Sequence, residues 1–365
     1  MKKLALTAAF CLAIAILFAS LACEGDQGPQ GPQGPSGEPG EDAVLTPPRD
    51  RVFALAIFNG TARDHNGINA ATLTFDTTAT PSSSVVVGNK VDRVPIIDGV
   101  FDGADVWGEN SSNLELEHQA FADNFIYDVT VIASYDDHNM YFMVQWSEVN
   151  QGDYVVGMND RHLDWSYDDV EEEFFVNDLY EDRVALMFQD SRSLIEDWKL
   201  YGCLTGCHTG EGLPDNMQSA SPSIIIDTWE WGAMRSENLD IGLDRALTSA
   251  GFVQDGGVPP FRQNSEIIQR LVDNEIVDDT VPIYIHVKQL SDPEYVPDDI
   301  LWEYLAVPFT DTVSWTANSY ISGWYAMPPS TGNDILKSAG QFSEGTWTVE
   351  FSRPRITEDP YDVQF

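Results

Sequence analysis

The chain has 365 residues, of which 59 are acidic and 19 basic, and its formal net charge at pH 7 is −40. This negative charge is spread along the sequence and would repel phosphates, so we expect no nucleic-acid partner. Hydrophobic residues make up 43% of the chain and aromatic residues 11%. Such a composition can fill a packed core and does not imply disorder.

The first 22 residues have the pattern of a secretory signal. Lys2 and Lys3 precede an apolar run over residues 4–18, and small residues lead up to Ala22. The run is shorter than the ~20 apolar residues of a transmembrane helix. We therefore expect cleavage after Ala22 and export of the remaining chain.

Cys23 directly follows the expected cleavage site, as the acylated Cys does in proteins that this segment resembles, the bacterial lipoproteins. The mature chain would carry three Cys, an odd number, so one thiol needs a fate other than pairing. If Cys203 and Cys207 form a unit, lipidation accounts for Cys23. We predict a lipid anchor in the cell envelope. Glu24 favours the outer membrane or cell surface, although an ordinary signal peptidase could cut the same bond.

Residues 25–42 carry Gly at every third position in six uninterrupted triplets, which is the period of collagen. Six triplets are few for a stable triple helix, so we favour a semi-rigid spacer, with a trimer through this stalk as the alternative. We divide the chain into a signal peptide over 1–22, an anchor, stalk and linker over 23–51, and one domain over 52–365.

Short β-branched and aromatic runs bounded by Asp, Asn, Gly and Pro predict that this domain is mainly β. The predicted strands are Val52–Phe58, Val85–Val87, Tyr127–Ser134, Met140–Trp146, Arg183–Phe188, Ile283–Val287 and Thr346–Phe351. Asp136–Asn139 predicts a hairpin turn, whereas Ser193–Leu200 and Asn264–Val277 carry helical signals. We expect a β-sandwich of immunoglobulin or jelly-roll type, similar to carbohydrate-binding sandwiches, with a few helical and loop insertions.

The sharpest local motif is Cys203-Leu-Thr-Gly-Cys207-His208. Covalent c-type haem attachment uses two thiols and the following His as an iron ligand, usually with two residues between the Cys rather than the three found here. The same six residues are equally typical of a disulfide that closes a small loop. Zinc is disfavoured, because a structural zinc site needs four ligands and no further mature Cys lies in the domain.

Five stretches of the domain, taken in order, carry a wider resemblance. They are Ile97–Trp107, Ser134–Trp146, Glu181–Phe188, the Cys-His segment followed by Asp227–Trp231, and Gly345–Arg353 with Asp362–Phe365. Together they resemble the haem-binding domain of the ethylbenzene dehydrogenase type and its c-type cytochrome relatives, over about Val85–Phe365. The resemblance implies a β-sandwich that binds one haem and passes electrons to a redox partner protein, rather than a catalyst.

The resemblance also implies roles for individual residues. His208 would be one iron ligand and Met217 the other, with Met234, His286 and Lys337 in reserve, the last because Lys is a ligand in relatives with non-covalent b-type haem. Trp229, Trp231 and Arg235 match the segment that flanks the haem, where an Arg could meet a propionate. Core packing is the alternative role of both Trp residues.

A haem-free carbohydrate- or surface-binding sandwich with a Cys203–Cys207 disulfide is the alternative function. The sequence contains no nucleophile elbow, phosphate loop or zinc-protease helix motif. Nothing in it therefore points to a hydrolase or a transferase.

Overall fold

The strands and helices below come from a computed structural model. The structure describes residues 51–58, 69–77, 82, 84–118, 125–147, 150–151, 154–155, 165–176, 181–189, 195, 198, 218–219, 221–236, 241–255, 261–272, 275–298, 300–327 and 335–365. All of them belong to one compact unit, Leu45–Phe365.

Strands dominate the described residues. In chain order they are β1 (Arg51–Phe58), β2 (Asn69–Asp76), β3 (Val85–Lys90), β4 (Ser112–His118), β5 (Phe125–Tyr135), β6 (Asn139–Ser147), β7 (Asn150–Gln151), β8 (Tyr154–Val155), β9 (Trp165–Asp168), β10 (Glu173–Val176), β11 (Arg183–Gln189), β12 (Ile226–Gly232), β13 (Leu243–Thr248), β14 (Gly251–Gln254), β15 (Phe261–Gln263), β16 (Glu266–Val272), β17 (Glu275–Val281), β18 (Tyr284–His286), β19 (Ile300–Trp302), β20 (Ala306–Pro308), β21 (Tyr320–Ile321), β22 (Trp324–Ala326), β23 (Lys337–Ser343) and β24 (Thr346–Pro354). One helical turn, α1 (Ala104–Trp107), and two 3₁₀ turns, Val287–Leu290 and Glu303–Leu305, complete the set.

The main sheet has twelve strands, in the order β14-β13-β12-β11-β1-β2-β3-β5-β6-β24-β23, with β4 paired to β5. We call β14 to β2 the first half and β3 to β23, with β4, the second half. Strand pairs of this sheet are antiparallel except β2–β3 and β3–β5, which are parallel. The described residues also form two three-stranded sheets, β10-β9-β21 and β15-β22-β19, and three two-stranded sheets, β16-β17, β18-β20 and β7-β8.

The two halves share one aromatic core. Phe142 on β6 lies 5.6 Å from both Phe53 and Phe188 and 5.7 Å from Trp229, measured between ring centroids, and these three partners lie on β1, β11 and β12. All four side chains are fully buried. The halves therefore pack face to face as a sandwich, which confirms the predicted mainly β fold.

The predicted strands are confirmed within a few residues at their ends. The predicted turn is confirmed as well, because Asp136 Oδ1 accepts hydrogen bonds from the backbone N–H groups of His138 and Asn139 at 2.7 Å. Within the described residues, no helix has both the length and the apolar character needed to span a membrane.

The predicted helix at Asn264–Val277 is wrong. These residues form the antiparallel hairpin of β16 and β17. The apolar residues fit helical spacing only roughly, whereas Ile267, Ile268 and Ile276 are β-branched and favour strands. Of the predicted helix at Ser193–Leu200, the structure describes Ile195 and Trp198, whose backbone N–H donates to the Ile195 carbonyl at 3.3 Å. Its other residues lie outside the described part.

Candidate functional site

The first half of the sheet separates its side chains onto two faces, because successive residues of a strand point in opposite directions. On β12, Trp229 and Trp231 face the aromatic core, whereas Ile226 and Glu230 face outward. All seven residues of β12 are buried. The outer face of this half is therefore covered rather than exposed to water.

An apolar cluster occupies that outer face, and we call it the outer apolar cluster. It consists of Ala54, Ala56, Ala185, Met187, Trp198, Ile226 and Leu247, with Ile195, Ile224 and Phe252 packed against it. Ala56 and Ala185 stand directly opposite each other on neighbouring strands. Small side chains thus line the middle of this face, and Trp198 packs over it.

The Cys-His motif is close in sequence to residues that contact this face. Cys203, Cys207, His208 and Met217 lie outside the described residues, as does Cys23. Trp198 precedes Cys203 by five residues. On the other side of the segment, the backbone N–H of Ser219 donates to the Thr248 carbonyl at the end of β13 at 2.9 Å. The segment that carries the motif is therefore bracketed by two attachments to the first half.

A buried ion cluster borders the outer apolar cluster, and we call it the arginine cluster. Glu230 pairs with Arg245, with Arg235 at 2.8 Å and with Arg183 at 3.7 Å. Arg235 also pairs with Glu181. Burial alone would raise the pKa of Glu230, but Arg245, Arg235 and Arg183 outweigh it and lower the pKa to about 2.

Among the described residues, three guanidinium groups face two carboxylates in the arginine cluster. Arg245 lies over the ring of Phe252, with its guanidinium carbon 4.0 Å from the ring centroid, and so connects the ions to the apolar cluster. Within the described residues, Arg245 Nε is buried and has no hydrogen-bond partner. The cluster can therefore offer both charge and a hydrogen-bond donor to an anionic group.

Arg235 is held firmly in this cluster. Its guanidinium lies 4.9 Å from the ring of Trp324 and 5.5 Å from that of Phe261, in addition to its two carboxylate partners. Burial by itself would lower the pKa of Arg235, but Glu181 and Glu230 raise it. The side chain thus stays charged in a buried place, and its predicted contact with a propionate stays a prediction.

Trp229 and Trp231 have the core-packing role that the sequence offered as the alternative. Trp229 contacts Phe188 at 5.2 Å and Phe365 at 5.8 Å, and Trp231 contacts Trp347 at 4.9 Å, between ring centroids. Both indole N–H groups lack a hydrogen-bond partner within the described residues. A contact of either Trp with haem stays a prediction, and it would require the group to reach the inner layer.

The three reserve ligands lie on different elements of the fold. Met234 is fully buried beside Ile300 and Ala326. His286 accepts a hydrogen bond at Nδ1 from the backbone N–H of Lys288, and burial lowers its pKa. Lys337 is exposed at the start of β23.

Sequence reasoning missed both the arginine cluster and a second, acidic cluster around Arg353 on the inner face. A signal for them exists in β12 and β13, which read Ile-Asp-Thr-Trp-Glu-Trp-Gly and Leu-Asp-Arg-Ala-Leu-Thr. Charged residues inside strands of a buried sheet must be paired. The partners, however, lie on other strands and could not be assigned from the sequence.

A separate pocket lies between β9, β10 and the loop after β20. Its cavity of about 250 Å³ has aromatic walls and an acidic rim. The aromatic residues are Tyr167, Phe174, Phe309 and Trp315, and the acidic ones are Glu172, Glu173, Asp279 and Asp311. Phe174 meets Phe309 and Trp315 edge to face at 5.8 and 5.1 Å.

A comparison with protein families places the sandwich among known sequences. The family model described as ethylbenzene dehydrogenase matches residues 107–365, which is 259 of the 365 residues. The match includes β5, β6, β11, β12 and β24 as well as the Cys-His motif, and it confirms the resemblance inferred from the sequence. A comparison with curated proteins gave no match.

Proposed function

Since the chain belongs to the ethylbenzene dehydrogenase family, we propose that it is a haem-binding electron-transfer protein of the cell envelope, held there by lipid on Cys23. The observation that carries this proposal is the location of the motif. Cys203-Leu-Thr-Gly-Cys207-His208 lies inside the matched region and is bracketed by attachments to a face that is both apolar and cationic.

The described residues fit a haem group chemically. A porphyrin is a flat apolar ring with two anionic propionates, and the outer face offers an apolar surface lined by Ala54, Ala56 and Ala185. Beside it, the arginine cluster has, within the described residues, excess positive charge and the buried donor Arg245 Nε. Because the whole chain carries a net charge of −40, a buried site with positive excess is well suited to select an anionic ligand.

Chain length supports the same site. Cys203 follows Trp198 by five residues, so its Cα lies within ~18 Å of the Trp198 Cα. Met217 is the second residue before Ser219, which is bonded to the end of β13. Both ends of the segment can therefore bring their side chains to the outer face.

In the proposed site, Cys203 and Cys207 would hold the haem through thioethers, and His208 and Met217 would bind its iron. The bound group supplies a one-electron redox couple. A His next to an attached Cys reaches the iron with little further loss of conformational freedom. The residues of the outer face exclude water and so limit solvent access, which is one of the protein's means of adjusting a potential. The arginine cluster would orient the propionates.

An absorption spectrum tests the class of the protein. The whole protein, produced in a host with c-type maturation, should show a Soret band and sharp reduced bands. His208→Ala should abolish or strongly weaken the low-spin spectrum, whereas His138→Ala, at an exposed turn, should leave it unchanged. A folded, colourless protein produced with haem available would refute the proposal.

The type of haem is decided by acid–acetone extraction followed by denaturing mass spectrometry. We expect the mass of one haem to stay with the chain through Cys203 and Cys207. Extraction of all haem would instead indicate a b-type site with a disulfide beside it. Met217→Ala should retain haem but open one coordination position and lower the potential, because a thioether ligand stabilises the ferrous state.

The location of the site is tested by filling the outer face. Ala185→Leu places a larger side chain in the outer apolar cluster, and it should at least halve the haem bound per folded protein. Ala246→Leu is the matched control, because Ala246 pairs with Asp227 on the inner face. Both changes add volume to a packed sheet and should lower the free energy of unfolding by ~1–3 kcal/mol. Equal haem content in the two folded variants would place the haem elsewhere.

The anchor is tested by cell fractionation. Cys23→Ser should leave the domain folded but release it from the membrane fraction, and the parent protein should carry the extra mass of acyl chains. Parent and variant that partition alike, with no such mass on the parent, would contradict the lipid anchor. If the anchor is contradicted in this way, the redox partner protein in the envelope should be sought among soluble electron carriers.

The pocket between β9, β10 and the loop after β20 favours a second candidate function, carbohydrate binding. Its aromatic walls could stack against sugar rings while the rim carboxylates accept hydrogen bonds from the sugar hydroxyls. Calorimetry with soluble oligosaccharides tests it. Trp315→Ala should abolish binding, whereas Trp302→Ala, in a different cluster, should not. Saccharide binding by a colourless protein would support this candidate over the first.

A further inference from the structure

Arg353 stands at the centre of a second buried ion cluster, on the inner face of the first half. Its Nη2 donates to Asp227 at 2.8 Å and its Nη1 to Asp244 at 3.0 Å, and Nη1 lies 3.2 Å from Asp362. Arg353 is fully buried, and the three Asp residues are at most 4% exposed. One guanidinium therefore already compensates this group of carboxylates, and no further ion is needed at its centre.

A neighbouring group of carboxylates shares Asp362 with this cluster, but its other two members have no guanidinium partner among the described residues. Oxygens of Asp255, Asp359 and Asp362 lie within 4.8 Å of one another. Asp255 is 5% exposed, and within the described residues neither of its carboxylate oxygens has a hydrogen-bond partner. Asp359 Oδ1 accepts a hydrogen bond from the Tyr361 backbone N–H at 2.8 Å. We call Asp255, Asp359 and Asp362 the acidic triad.

A buried carboxylate without a hydrogen bond is costly, so Asp255 calls for a compensating group. Burial raises its pKa to about 9, and the charged neighbours that raise it further are all carboxylates, Asp244, Asp362, Asp359 and Asp227. Among the carboxylates of the described residues, Arg353 contacts Asp227, Asp244 and Asp362, so Asp255 and Asp359 add two acidic groups that it does not contact. The surroundings favour a cation with more than one charge.

We propose that the acidic triad binds a calcium ion. The ligands are all oxygen atoms, which suits the hard cations Ca²⁺ and Mg²⁺ and not zinc. Ca²⁺ binds oxygen at about 2.4 Å, so two ligands across the ion lie up to about 4.8 Å apart, and the oxygens of the triad lie within that distance of one another. Mg²⁺ demands shorter distances and near-ideal octahedral geometry.

Calcium in this place would connect two distant parts of the chain. Asp255 follows β14 at the edge of the first half, whereas Asp359 and Asp362 belong to the segment after β24. That segment places Phe365 in the aromatic core, and its Val363 backbone N–H donates to Asp227 at 2.8 Å. The ion would therefore hold the C-terminal segment against the sheet, independently of whether the protein binds haem.

The experiment measures thermal unfolding and calcium binding of the whole protein after treatment with a chelator. Calcium in ~100-fold excess over its Kd should raise Tm by ~4 °C, and calorimetry should show one site per chain. Asp255→Asn should weaken calcium binding at least ~10-fold and remove the shift in Tm. Glu358→Gln removes the same charge at an exposed neighbouring position and should behave like the parent.

Asp359→Asn supplies a second variant if Asp255→Asn fails to fold, since Asp359 is only half-buried and an Asn can still accept the hydrogen bond from Tyr361. It should weaken calcium binding as well. A parent protein whose Tm does not respond to calcium would overturn the proposal. An equal response to Mg²⁺ at the same concentration would overturn the assignment to calcium.

Discussion

The arginine cluster and the cluster around Arg353 lie on opposite faces of the same two strands. On β12, Asp227 faces inward and Glu230 outward, and on β13 the adjacent residues Asp244 and Arg245 do the same. Among the described residues, the outer cluster has three guanidinium groups for two carboxylates, whereas the inner one has one guanidinium for the three carboxylates of Asp227, Asp244 and Asp362. Residues that adjoin in sequence therefore lie in opposite electrostatic environments, because a strand sends alternate side chains to opposite faces.

This difference shows that the net charge of −40 does not predict the local charge of a buried site. Three arginines lower the pKa of Glu230 to about 2. At the inner cluster, burial raises the pKa of Asp227 and Asp244 in spite of Arg353. Substitution of Arg353 and of Glu230 removes the central charge of each cluster, and substitution of Glu350 tests a third buried carboxyl.

The largest effect should come from Arg353→Met. The change leaves Asp227, Asp244 and Asp362 buried without a guanidinium, so we expect a loss of ~3–5 kcal/mol in the free energy of unfolding. Urea denaturation followed by circular dichroism measures it. Arg93→Met is the matched control, because the Arg93–Asp105 pair is exposed and should contribute less than ~1 kcal/mol. Equal losses in the two variants would mean that the inner carboxylates are compensated in another way.

Glu230→Gln should cost ~2–4 kcal/mol at pH 7, because it leaves three arginines with one carboxylate. The lowered pKa of Glu230 means that its ionised form contributes stability above pH ~4.5, and that this contribution is lost as the pH falls towards 2. Urea midpoints between pH 2 and 7 should thus converge for parent and variant at the acidic end. A deficit that does not change with pH would contradict the assigned role, and exposed Glu171→Gln serves as the control.

The smallest change in stability should come from Glu350→Gln. Glu350 is fully buried on β24, and its Oε2 accepts hydrogen bonds from the backbone N–H groups of Asp98 and Gly99. Burial raises its pKa to about 8, since these two bonds and the nearby Asp98 and Asp102 supply no compensating cation. Glu350 therefore extends the comparison to a buried Glu that, within the described residues, has no arginine partner as Glu230 does.

The sign of this effect is opposite to that at Glu230. A raised pKa means that the folded state binds the proton more tightly, so stability falls as the pH rises from ~4.5 through 8. Gln cannot ionise and should remove this fall, which makes the variant more stable than the parent by at least ~1 kcal/mol at pH 9. Thermal unfolding between pH 5 and 9 measures it. Parallel curves for the two proteins would show that Glu350 ionises without cost.

The helix predicted at Asn264–Val277 shows where local reasoning fails. The hairpin of β16 and β17 leaves Ile267 72% and Ile276 70% exposed. Its apolar residues therefore do not mark a buried face whose spacing would distinguish a strand from a helix. By contrast, β5, β6 and β24 are rich in β-branched and aromatic residues, and their predicted bounds are confirmed within a few residues. Strands that pass through the core can be predicted because their residue types strongly favour strands. A peripheral hairpin lacks such a strong preference, so its secondary structure cannot be assigned from the sequence.

The sequence by itself determined the mainly β class, the hairpin turn at Asp136–Asn139 and the family, because each depends on residue types in a short or ordered pattern. Only the tertiary structure decided that Trp229 and Trp231 pack in the core while Glu230 joins three arginines. It alone brought Asp255 to Asp359 and Asp362, about one hundred residues further along the chain. Burial and pairing of charges depend on which strands become neighbours, and that choice is made by packing of the whole sandwich rather than by any local segment.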